Sequence, residues 1–491
     1  MIDKKQLPIR NIVHKASMGD LKASFQLYDF YKNGKYIEKD ESVAQEYAVK
    51  TLEIFDKHSL RISKIKLTDY RGFVSEEMKL SDSNMTVIVG ANGAGKTAIL
   101  DAVQKSLSWL TRRIISQGGS GDLIELRDIR VTAEYASIIT HISIKKGTEF
   151  GLELSKAIEG SNLSRKNSLQ EIKLLAEIYK LANSQNPKFS FPLMAYYSLE
   201  RSRDISEKDI DFMEKLDAEK IDSKFSGYTR ALNGTADFKL FFRWFKTIDD
   251  INNADIANNN KRNSETAKII QSVTEAIYSF LPGFSNLRIQ RQPTLDILLD
   301  KNNISLSVLQ LSQGEKSILA LVADIARRLV LLNPGLEKPL SGRGIVLIDE
   351  IDLHLHPAWQ QKVIPSLVKT FPNIQLIITT HSPQVLSTVD ASSIRVLENG
   401  RLHSSPKGTK GAESSEILRK IFGVDPRPVD DENAIMLKKY EELVNADRWN
   451  SDEALALRGK LDAIYFNEEP KLMELDLRIE NREWEIEIEK D

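Results

Sequence analysis

The sequence predicts an α/β fold that binds a nucleotide, and three observations carry this prediction. An apolar run ending at Val89 leads into a glycine-rich loop, and a helical run follows the loop. A second apolar run ends in two carboxylates, Asp349 and Glu350, and a third ends in His381. Strand, glycine-rich turn and helix in this order form the context in which a phosphate-binding loop is found.

The glycine-rich loop fits the pattern GxxxxGK[ST] at every fixed position. Its residues, followed by the residue that begins the helix, are Gly90, Ala91, Asn92, Gly93, Ala94, Gly95, Lys96, Thr97 and Ala98. The glycines let the backbone curl around a phosphate with its N–H groups facing inward. We therefore expect Lys96 to reach the β- and γ-phosphates of ATP and the Thr97 hydroxyl to hold Mg²⁺.

The carboxylates after the second strand supply the remaining chemistry of a nucleotide hydrolase. Asp349 suits the Mg²⁺ position, and Glu350 suits a base that polarises the attacking water. His381, at the end of the following strand, is the expected switch residue beside that base. The predicted catalytic residues are thus Lys96, Glu350 and His381, and the predicted metal ligands are Thr97 and Asp349.

A further motif, LSQGE, lies between the loop and the carboxylates and precedes a helical run. Its polar part consists of Ser312, Gln313, Gly314 and Glu315. A serine and a glycine amide at a helix N-terminus form a ready anion site. The ordered set of motifs resembles the ABC-type ATPases, in which this signature serves the nucleotide of the opposite protomer. The resemblance implies a homodimer or higher homo-oligomer, with Asp352 in the D-loop position at the seam.

Composition agrees with a large globular protein. The 491 residues predict two to four domains, and the charged fraction of 28% is ordinary for such a protein. Absence of cysteine excludes a disulfide framework and a cysteine metal site. No signal core and no membrane-length apolar run are evident, so a cytoplasmic location without membrane contact is expected. A net charge of −2 does not indicate nucleic-acid binding.

Three segments are predicted along the chain. Residues 1–58 resemble one helical-hairpin repeat, in which Ala16 to Gly34 follow one helix face and Glu41 to Phe55 form a second helix. One such repeat must pack on the ATPase or on a partner, and both a recruiting role and a plain cap stay open. Residues 59–425 form the ATPase, with a helical lobe inserted at about 199–290. Residues 426–491 form a charged, helical tail for partner docking.

Local patterns predict further strands within the ATPase. Alternation over 62–73 indicates an opening strand, and alternation over 130–158 indicates an antiparallel hairpin. Two short strands, 295–299 and 304–308, meet at a pair of asparagines. No sustained heptads separate the phosphate loop from the acidic pair, which argues against a long coiled-coil arm.

Four further features bear on the helical lobe and on the nucleotide site. Phe238–Phe245 mixes aromatic and basic residues as nucleic-acid platforms do, but a buried helix is favoured. A polar stretch, Asn252–Asn263, is expected to be a loop within the helical lobe. His354 and His356 lack a nearby third metal ligand, so a structural role is favoured over a metal site. No confident Q-loop glutamine occurs at its expected place near 198–201.

The whole pattern resembles the PtuA-type ATPases of Septu and retron-associated anti-phage systems, a part of the RecF/SMC/OLD-like branch. The resemblance spans about residues 60–425 and rests on the motifs above together with Asp69–Phe73, Ala195–Tyr197 with Arg201, and the run Asp349–Pro357. It implies an ATP- and Mg²⁺-dependent regulatory subunit whose partner is an HNH-type nuclease of the PtuB kind. In retron-associated members it also implies a reverse transcriptase and its reverse-transcribed DNA, and hence contact with nucleic acid.

Two other functions remain as alternatives. One is a RecF/OLD-like ATPase that acts directly on DNA in repair, and the weaker one is a transporter ATPase. OLD-type nucleases resemble this ATPase but continue into a Toprim domain with a glutamate and a DxD metal site. Those residues are not recognisable after His381, so no intrinsic nuclease activity is expected.

Overall fold

The computed structural model describes residues 6–55, 60–145, 148–161, 166–202, 223–259, 265–466 and 468–488. These residues form two compact units, Met1–Ala412 and Glu413–Asp491. The larger unit contains the predicted nucleotide motifs, and the smaller one is helical.

The larger unit contains both helices and strands. The helices are α1 (Gln6–Ser17), α2 (Leu21–Asn33), α3 (Glu41–Phe55), α4 (Lys96–Ile115), α5 (Gln170–Gln185), α6 (Phe238–Asn259), α7 (Glu265–Phe280), α8 (Gln313–Leu332), α9 (Pro357–Thr370) and α10 (Pro383–Leu386). The strands are β1 (Arg61–Tyr70), β2 (Phe73–Lys79), β3 (Met85–Gly90), β4 (Tyr135–Lys145), β5 (Thr148–Ala157), β6 (Leu193–Tyr197), β7 (Phe284–Gln290), β8 (Asp296–Lys301), β9 (Ile304–Ser307), β10 (Gly344–Ile348), β11 (Ile374–Thr379), β12 (Ile394–Glu398) and β13 (Arg401–Ser404).

A six-stranded sheet in the order β13-β12-β3-β11-β10-β6 forms the centre of the larger unit. The strands from β12 to β6 are parallel, and β13 pairs antiparallel with β12. Ile348 at the end of β10 pairs with Tyr197 of β6 on one side and with Ile378 of β11 on the other. The carboxyl ends of β3, β11 and β10 therefore lie side by side, which is where open α/β sheets place their ligand sites. The predicted α/β class is confirmed.

A four-stranded antiparallel sheet, in the order β2-β1-β4-β5, lies beside the central sheet. Its strands confirm the predicted opening strand and the hairpin of 130–158, whose turn at 146–147 lies outside the described residues. The side chain of Gln375 on β11 joins the two sheets. Its Oε1 accepts from the Ile62 N–H at 2.8 Å, and its Nε2 donates to the Ile62 carbonyl at 2.9 Å.

The N-terminal segment comprises three helices, so the single helix face predicted from Ala16 to Gly34 is wrong. Gly19 lies between α1 and α2 and has a φ of +83°. Residues with a side chain rarely adopt this left-handed conformation, whereas glycine adopts it easily and so ends the first helix. Asp20 then caps α2 by accepting a hydrogen bond from the Ala23 N–H, and Gly34 in the left-handed region ends it.

The N-terminal helices pack against the ATPase. Lys22 of α2 forms an ion pair with Glu171 of α5 at 2.5 Å, and the Phe55 ring lies 4.8 Å from the Tyr179 ring, centroid to centroid. Of the two predicted placements, the segment thus has the one on the ATPase. Its recruiting role remains a prediction.

The helices α6 and α7 precede a small antiparallel sheet of β7, β8 and β9. Helix α6 continues through Asn259, so the polar loop predicted from Asn252 is wrong as far as 259, and 260–263 lie outside the described residues. Asn253 and Asn258 are exposed on this helix, and Asn253 donates to Asp249 one turn earlier at 3.2 Å. Asn302 and Asn303, with φ of +50° and +68°, turn β8 into β9 as the sequence predicts.

The smaller unit contains α11 (Ser414–Ile417), α12 (Glu432–Asn445), α13 (Asp452–Tyr465) and α14 (Pro470–Ile488). Side chains of α12, α13 and α14 build a core of their own, which comprises Leu437, Tyr440, Leu443, Val444, Ala454, Leu461, Leu472 and Leu475. Asp431 and Ser451 cap α12 and α13 by accepting backbone hydrogen bonds.

Candidate functional site

The glycine-rich loop joins β3 to α4 and is shaped by its glycines. Gly93 and Gly95 have φ of +79° and +108°. A Cβ at Gly90 would lie 2.3 Å from the Leu397 carbonyl oxygen, and one at Gly95 would lie 3.0 Å from the Phe73 ring. Close packing therefore requires glycine at the fixed positions Gly90 and Gly95, and the backbone conformation favours it at Gly93 and Gly95.

Lys96 lies inside this loop with little exposure to solvent. Its Nζ donates to the carbonyl oxygens of Gly90 and Ala91, both at 3.0 Å. Burial lowers the pKa of Lys96, although the carboxylates of Glu350 and Asp349 oppose this shift. The ammonium is thus held against the backbone of the loop. In phosphate-binding loops the backbone N–H groups bind the phosphate chain beside such a lysine.

The structure brings the predicted metal ligands together. Thr97 Oγ1 donates to Asp349 Oδ2 at 2.8 Å, although 252 residues separate the two in the chain. Asp349 is almost fully buried, and its own N–H donates to the Tyr197 carbonyl at 2.8 Å. A hydroxyl and a carboxylate oxygen side by side are the ligands that Mg²⁺ accepts in nucleotide sites.

Thr379, at the end of β11, connects the carboxylate of Asp349 to the backbone of Glu350, and the sequence interpretation did not include it. Its Oγ1 donates to Asp349 Oδ1 and accepts from the Glu350 N–H at 2.7 Å. Glu350 itself has a φ of +45°, which is uncommon for a residue other than glycine. The hydroxyl of Thr379 therefore stabilises a backbone conformation that aims the predicted base.

His381 follows β11 and faces the predicted base. Its Nε2 lies 3.9 Å from Glu350 Oε1, and within the described residues this nitrogen has no hydrogen-bond partner. Burial and the nearby Lys96 ammonium lower the pKa of His381, which outweighs the opposing effect of the carboxylates. The imidazole is therefore neutral near pH 7 and can hydrogen-bond to a ligand.

Asp352, the predicted D-loop residue, is tied to the same strand end. Thr380 Oγ1 donates to its carboxylate, and the Ile351 N–H donates to the Thr379 carbonyl at 3.1 Å. The segment after the acidic pair is thus fixed to β11 by two consecutive threonines.

The LSQGE motif begins α8 and forms a capping box. Ser312 Oγ accepts from the Glu315 N–H, and the Ser312 N–H donates to the Glu315 carboxylate at 2.8 Å. Lys301 adds an ion pair to Glu315 at 2.6 Å. In the described part of the chain, none of the hydrogen bonds of Ser312 or Glu315 reaches the phosphate loop.

Gly314 of this motif contacts the segment that follows the acidic pair. A Cβ at Gly314 would lie 2.6 Å from the carbonyl oxygen of His354, whose φ is +63°. His356 accepts the Ala358 N–H at its Nδ1 and so caps α9. Both histidines thus have structural surroundings, and no group of three metal-ligating side chains occurs among the described residues.

The Asp69–Phe73 segment reaches the helix that follows the phosphate loop. Arg71 forms ion pairs with Asp101 of α4 at 2.6 Å and with Asp128 at 2.9 Å. Tyr196 donates to the same Asp101 at 3.1 Å. Two segments on which the family resemblance rests therefore converge on one carboxylate beside the loop.

A buried polar network joins α8 to β6. Asp324 accepts from Tyr197 Oη at 2.9 Å and forms ion pairs with Arg327 and Arg328 at 2.9 and 2.7 Å. Arg328 also donates to the Gly227 carbonyl at 2.8 Å. All four side chains are buried. The i, i+3 and i+4 spacing of Asp324, Arg327 and Arg328 is visible in the sequence, but their burial and the contact with Tyr197 were not predicted.

Two other sequence alternatives can be compared with the structure. Phe241, Trp244 and Phe245 of α6 are almost fully buried, as expected for a core helix. At the expected Q-loop place, Ser198 donates to the Gly234 carbonyl at 2.9 Å, while the side chain of Arg201 lies outside the described residues. The described helices include none with the length and apolarity that a membrane crossing needs.

Known proteins provide an independent comparison. The family model described as "AAA domain, putative AbiEii toxin, Type IV TA system" matches residues 85–387. The "Retron Ec83 probable ATPase" of Escherichia coli is 42% identical, over 99% of this chain and 100% of that protein. The "Retron Vc95 probable ATPase" of Vibrio cholerae serotype O1 biovar El Tor is 35% identical, over 89% and 93%.

Two further proteins are similar to this chain at lower identity. A "Septu protein PtuA" of Bacillus thuringiensis is 24% identical, over 85% of this chain and 98% of that protein. Among solved structures, an SMC head bound to the C-winged helix domain of ScpA is 19% identical, with a TM-score of 0.41 over 70% of this chain and 95% of that one. The predicted membership is confirmed. This chain belongs to the family of retron-associated ATPases and is itself an ATPase with an α/β fold.

Proposed function

We propose that this chain is the ATP-hydrolysing regulatory subunit of a bacterial anti-phage defence complex and controls a separate HNH-type nuclease. The observation that supports it most is the convergence of Thr97, Asp349, Glu350 and His381 in a chain with near full-length similarity to retron ATPases. ATP binding and hydrolysis at such a site change the conformational state of the protein and do not cleave nucleic acid. A separate nuclease would therefore perform the cleavage.

In this proposal the residues of the loop bind and orient ATP. The loop amides and Lys96 hold the β- and γ-phosphates, and Thr97 with Asp349 holds Mg²⁺, which would neutralise charge on the phosphates. Glu350 accepts a proton from the attacking water, and the neutral imidazole of His381 hydrogen-bonds beside it. Thr379 acts through Glu350 and Asp349, and is therefore a positioning residue.

The signature residues are proposed to act on the nucleotide of a second protomer. Ser312 and Gly314 begin a 20-residue helix, whose N-terminus favours an anion. Among the residues that the structure describes, the hydrogen bonds of the Ser312 side chain and N–H go to Glu315 and not to the phosphate loop of the same chain. A head-to-tail dimer would place Ser312 and Gly314 against the partner's ATP, and Asp352 would lie at the seam.

The dimer is tested with Glu350→Gln, which keeps the shape of the side chain and removes the base. We expect this variant to bind ATP and persist as a dimer, because hydrolysis no longer releases it. Light scattering with ATP and Mg²⁺ measures the mass, and Glu398→Gln at the exposed end of β12 is the matched control. A Glu350→Gln chain that stays monomeric with ATP bound would refute the sandwich.

Control of the nuclease is tested on the two subunits purified together. Lys96→Ala should abolish the response of DNA cleavage to ATP, while Lys362→Ala on the exposed face of α9 should leave it intact. Cleavage with the same ATP response in wild type and Lys96→Ala would remove the nucleotide control. ATP turnover that DNA stimulates without any nuclease would favour the repair alternative.

The nuclease is proposed to bind through the C-terminal segment. The ATPase motifs lie within the larger unit, and the helical unit from Glu413 has a core of its own. A chain that ends at Ala412 should keep ATP binding and lose the nuclease in co-purification. Undiminished binding would move the docking site onto the ATPase.

A further inference from the structure

The C-terminal helix α14 has two apolar faces. One face, with Leu472 and Leu475, packs into the core of the smaller unit and is almost fully buried. The other comprises four exposed side chains, with relative exposures of 52, 62, 65 and 53% for Met473, Leu477, Trp484 and Ile488. We call these four residues the outer stripe.

The members of the outer stripe are aligned along the helix. They are separated by four, seven and four residues, so at 100° per residue they fall within an arc of about 60°. The stripe lies on the side of α14 opposite to the buried leucines and extends for roughly 22 Å. A groove of about 540 Å³, lined in part by Leu477 and Trp449, borders it.

Solvent exposure of this stripe needs an explanation. Single exposed apolar residues are ordinary, whereas an aligned set that includes a tryptophan is typical of a protein-binding surface. The fold of the smaller unit does not require these side chains, because its core is complete without them. A helix that only faced water would be as stable with polar residues there.

The margins of the outer stripe are acidic on both sides. Glu480 and Glu487 border one side, and Glu474 and Glu485 border the other. Glu474 and Glu485 form ion pairs within the helix, with Lys471 at 2.9 Å and Arg482 at 2.8 Å respectively. No ion pair to Glu480 or Glu487 occurs within the described residues.

We infer that the outer stripe docks an amphipathic helix of the partner, one whose apolar stripe is bordered by lysine or arginine. The two helices would pack as in a coiled coil, where residues flanking the apolar seam select the partner by charge. A second copy of α14 fits poorly, because acidic margins would then meet in either orientation. This inference rests on the proposed function, in which the partner helix belongs to the HNH-type nuclease.

The inference is tested by binding of the full chain to the HNH-type nuclease of the proposed complex. Leu477→Ala with Trp484→Ala should weaken binding by at least about 10-fold, as expected for central apolar anchors. Glu480→Lys with Glu487→Lys should weaken it and reverse its dependence on salt. Leu455→Ala, at an equally exposed leucine of α13, is the matched control and should change binding little.

Because these positions are exposed, the variants should unfold at the temperature of the wild type, which separates binding from folding. A photo-crosslinking side chain at 484 should then join the nuclease at a helix with basic margins. Nuclease binding that is unchanged in both double variants would overturn the inference and leave the proposed function intact. Crosslinks within the chain or to a second copy would overturn it too, and a nuclease that does not bind wild type would refute both.

Discussion

Replacing Thr379 with valine tests how the acidic pair is held. The change removes one hydroxyl from a fully buried position and keeps the branched shape. Glu350 then loses the acceptor of its N–H, which lies 2.7 Å away, and Asp349 loses a donor to its carboxylate. Removing one partner of a buried hydrogen bond costs about 1–3 kcal/mol, and part of that cost appears as poorer placement of the base.

We expect ATP turnover by Thr379→Val to fall about 10- to 100-fold, which corresponds to about 1.4–2.8 kcal/mol in the barrier. ATP affinity should change little, because Lys96 and Thr97 are untouched. Turnover and binding of a fluorescent ATP analogue measure the two quantities. Thr140→Val is the matched control. Thr140 lies on β4 of the antiparallel sheet, is fully buried, and its hydroxyl lies 2.7 Å from the hydroxyl of Ser106.

The two threonine variants should lose similar thermal stability and differ in turnover. Wild-type turnover in Thr379→Val, at equal loss of stability, would refute the positioning role. Loss of ATP affinity in that variant would instead show that Thr379 acts on the phosphate loop.

Two further predictions concern the edges of the site. Gly314→Ala should disturb the proposed dimer and its turnover while leaving ATP binding by the monomer intact, because the new methyl meets the His354 carbonyl at 2.6 Å and must displace it. Sedimentation with ATP measures this, and normal dimers would contradict it. The pKa of His381 is lowered from 6.5 in the folded chain, so below about pH 6.5 the unfolded chain binds more protons there and stability falls with decreasing pH. His381→Gln should reduce that acid-side loss in denaturant titrations at about pH 7.5 and 5.5, and an equal loss in both chains would show that other groups cause it.

The sequence predicted those parts of the site that are contiguous in the chain. The phosphate loop, the acidic pair and His381 each follow an apolar strand, so their type and place could be inferred together. The motif pattern also predicted that Thr97 and Asp349 act together, but other contacts between distant segments were not predicted. Thr379 resembles any strand threonine, and its importance follows only from the register that places β11 beside β10.

The same limit applies to the helices. The third N-terminal helix was predicted at its observed ends, because apolar spacing alone defines it. The break at Gly19 was missed, since the side chains on either side of it keep one apolar periodicity. Likewise, asparagine-rich composition predicted a loop at 252, whereas the buried aromatic start of α6 stabilises a helix that continues past it.

The network around Asp324 has a consequence for the order in which the chain can fold. Arg327 and Arg328 are buried beside it, and they become tolerable only when the hydroxyl of Tyr197 and the Gly227 carbonyl are also in place. Helix α8 therefore cannot dock early against a partly formed sheet without burying uncompensated charge. We expect the signature helix, β6 and the segment near 227 to open and close as one cooperative unit in native-state hydrogen exchange.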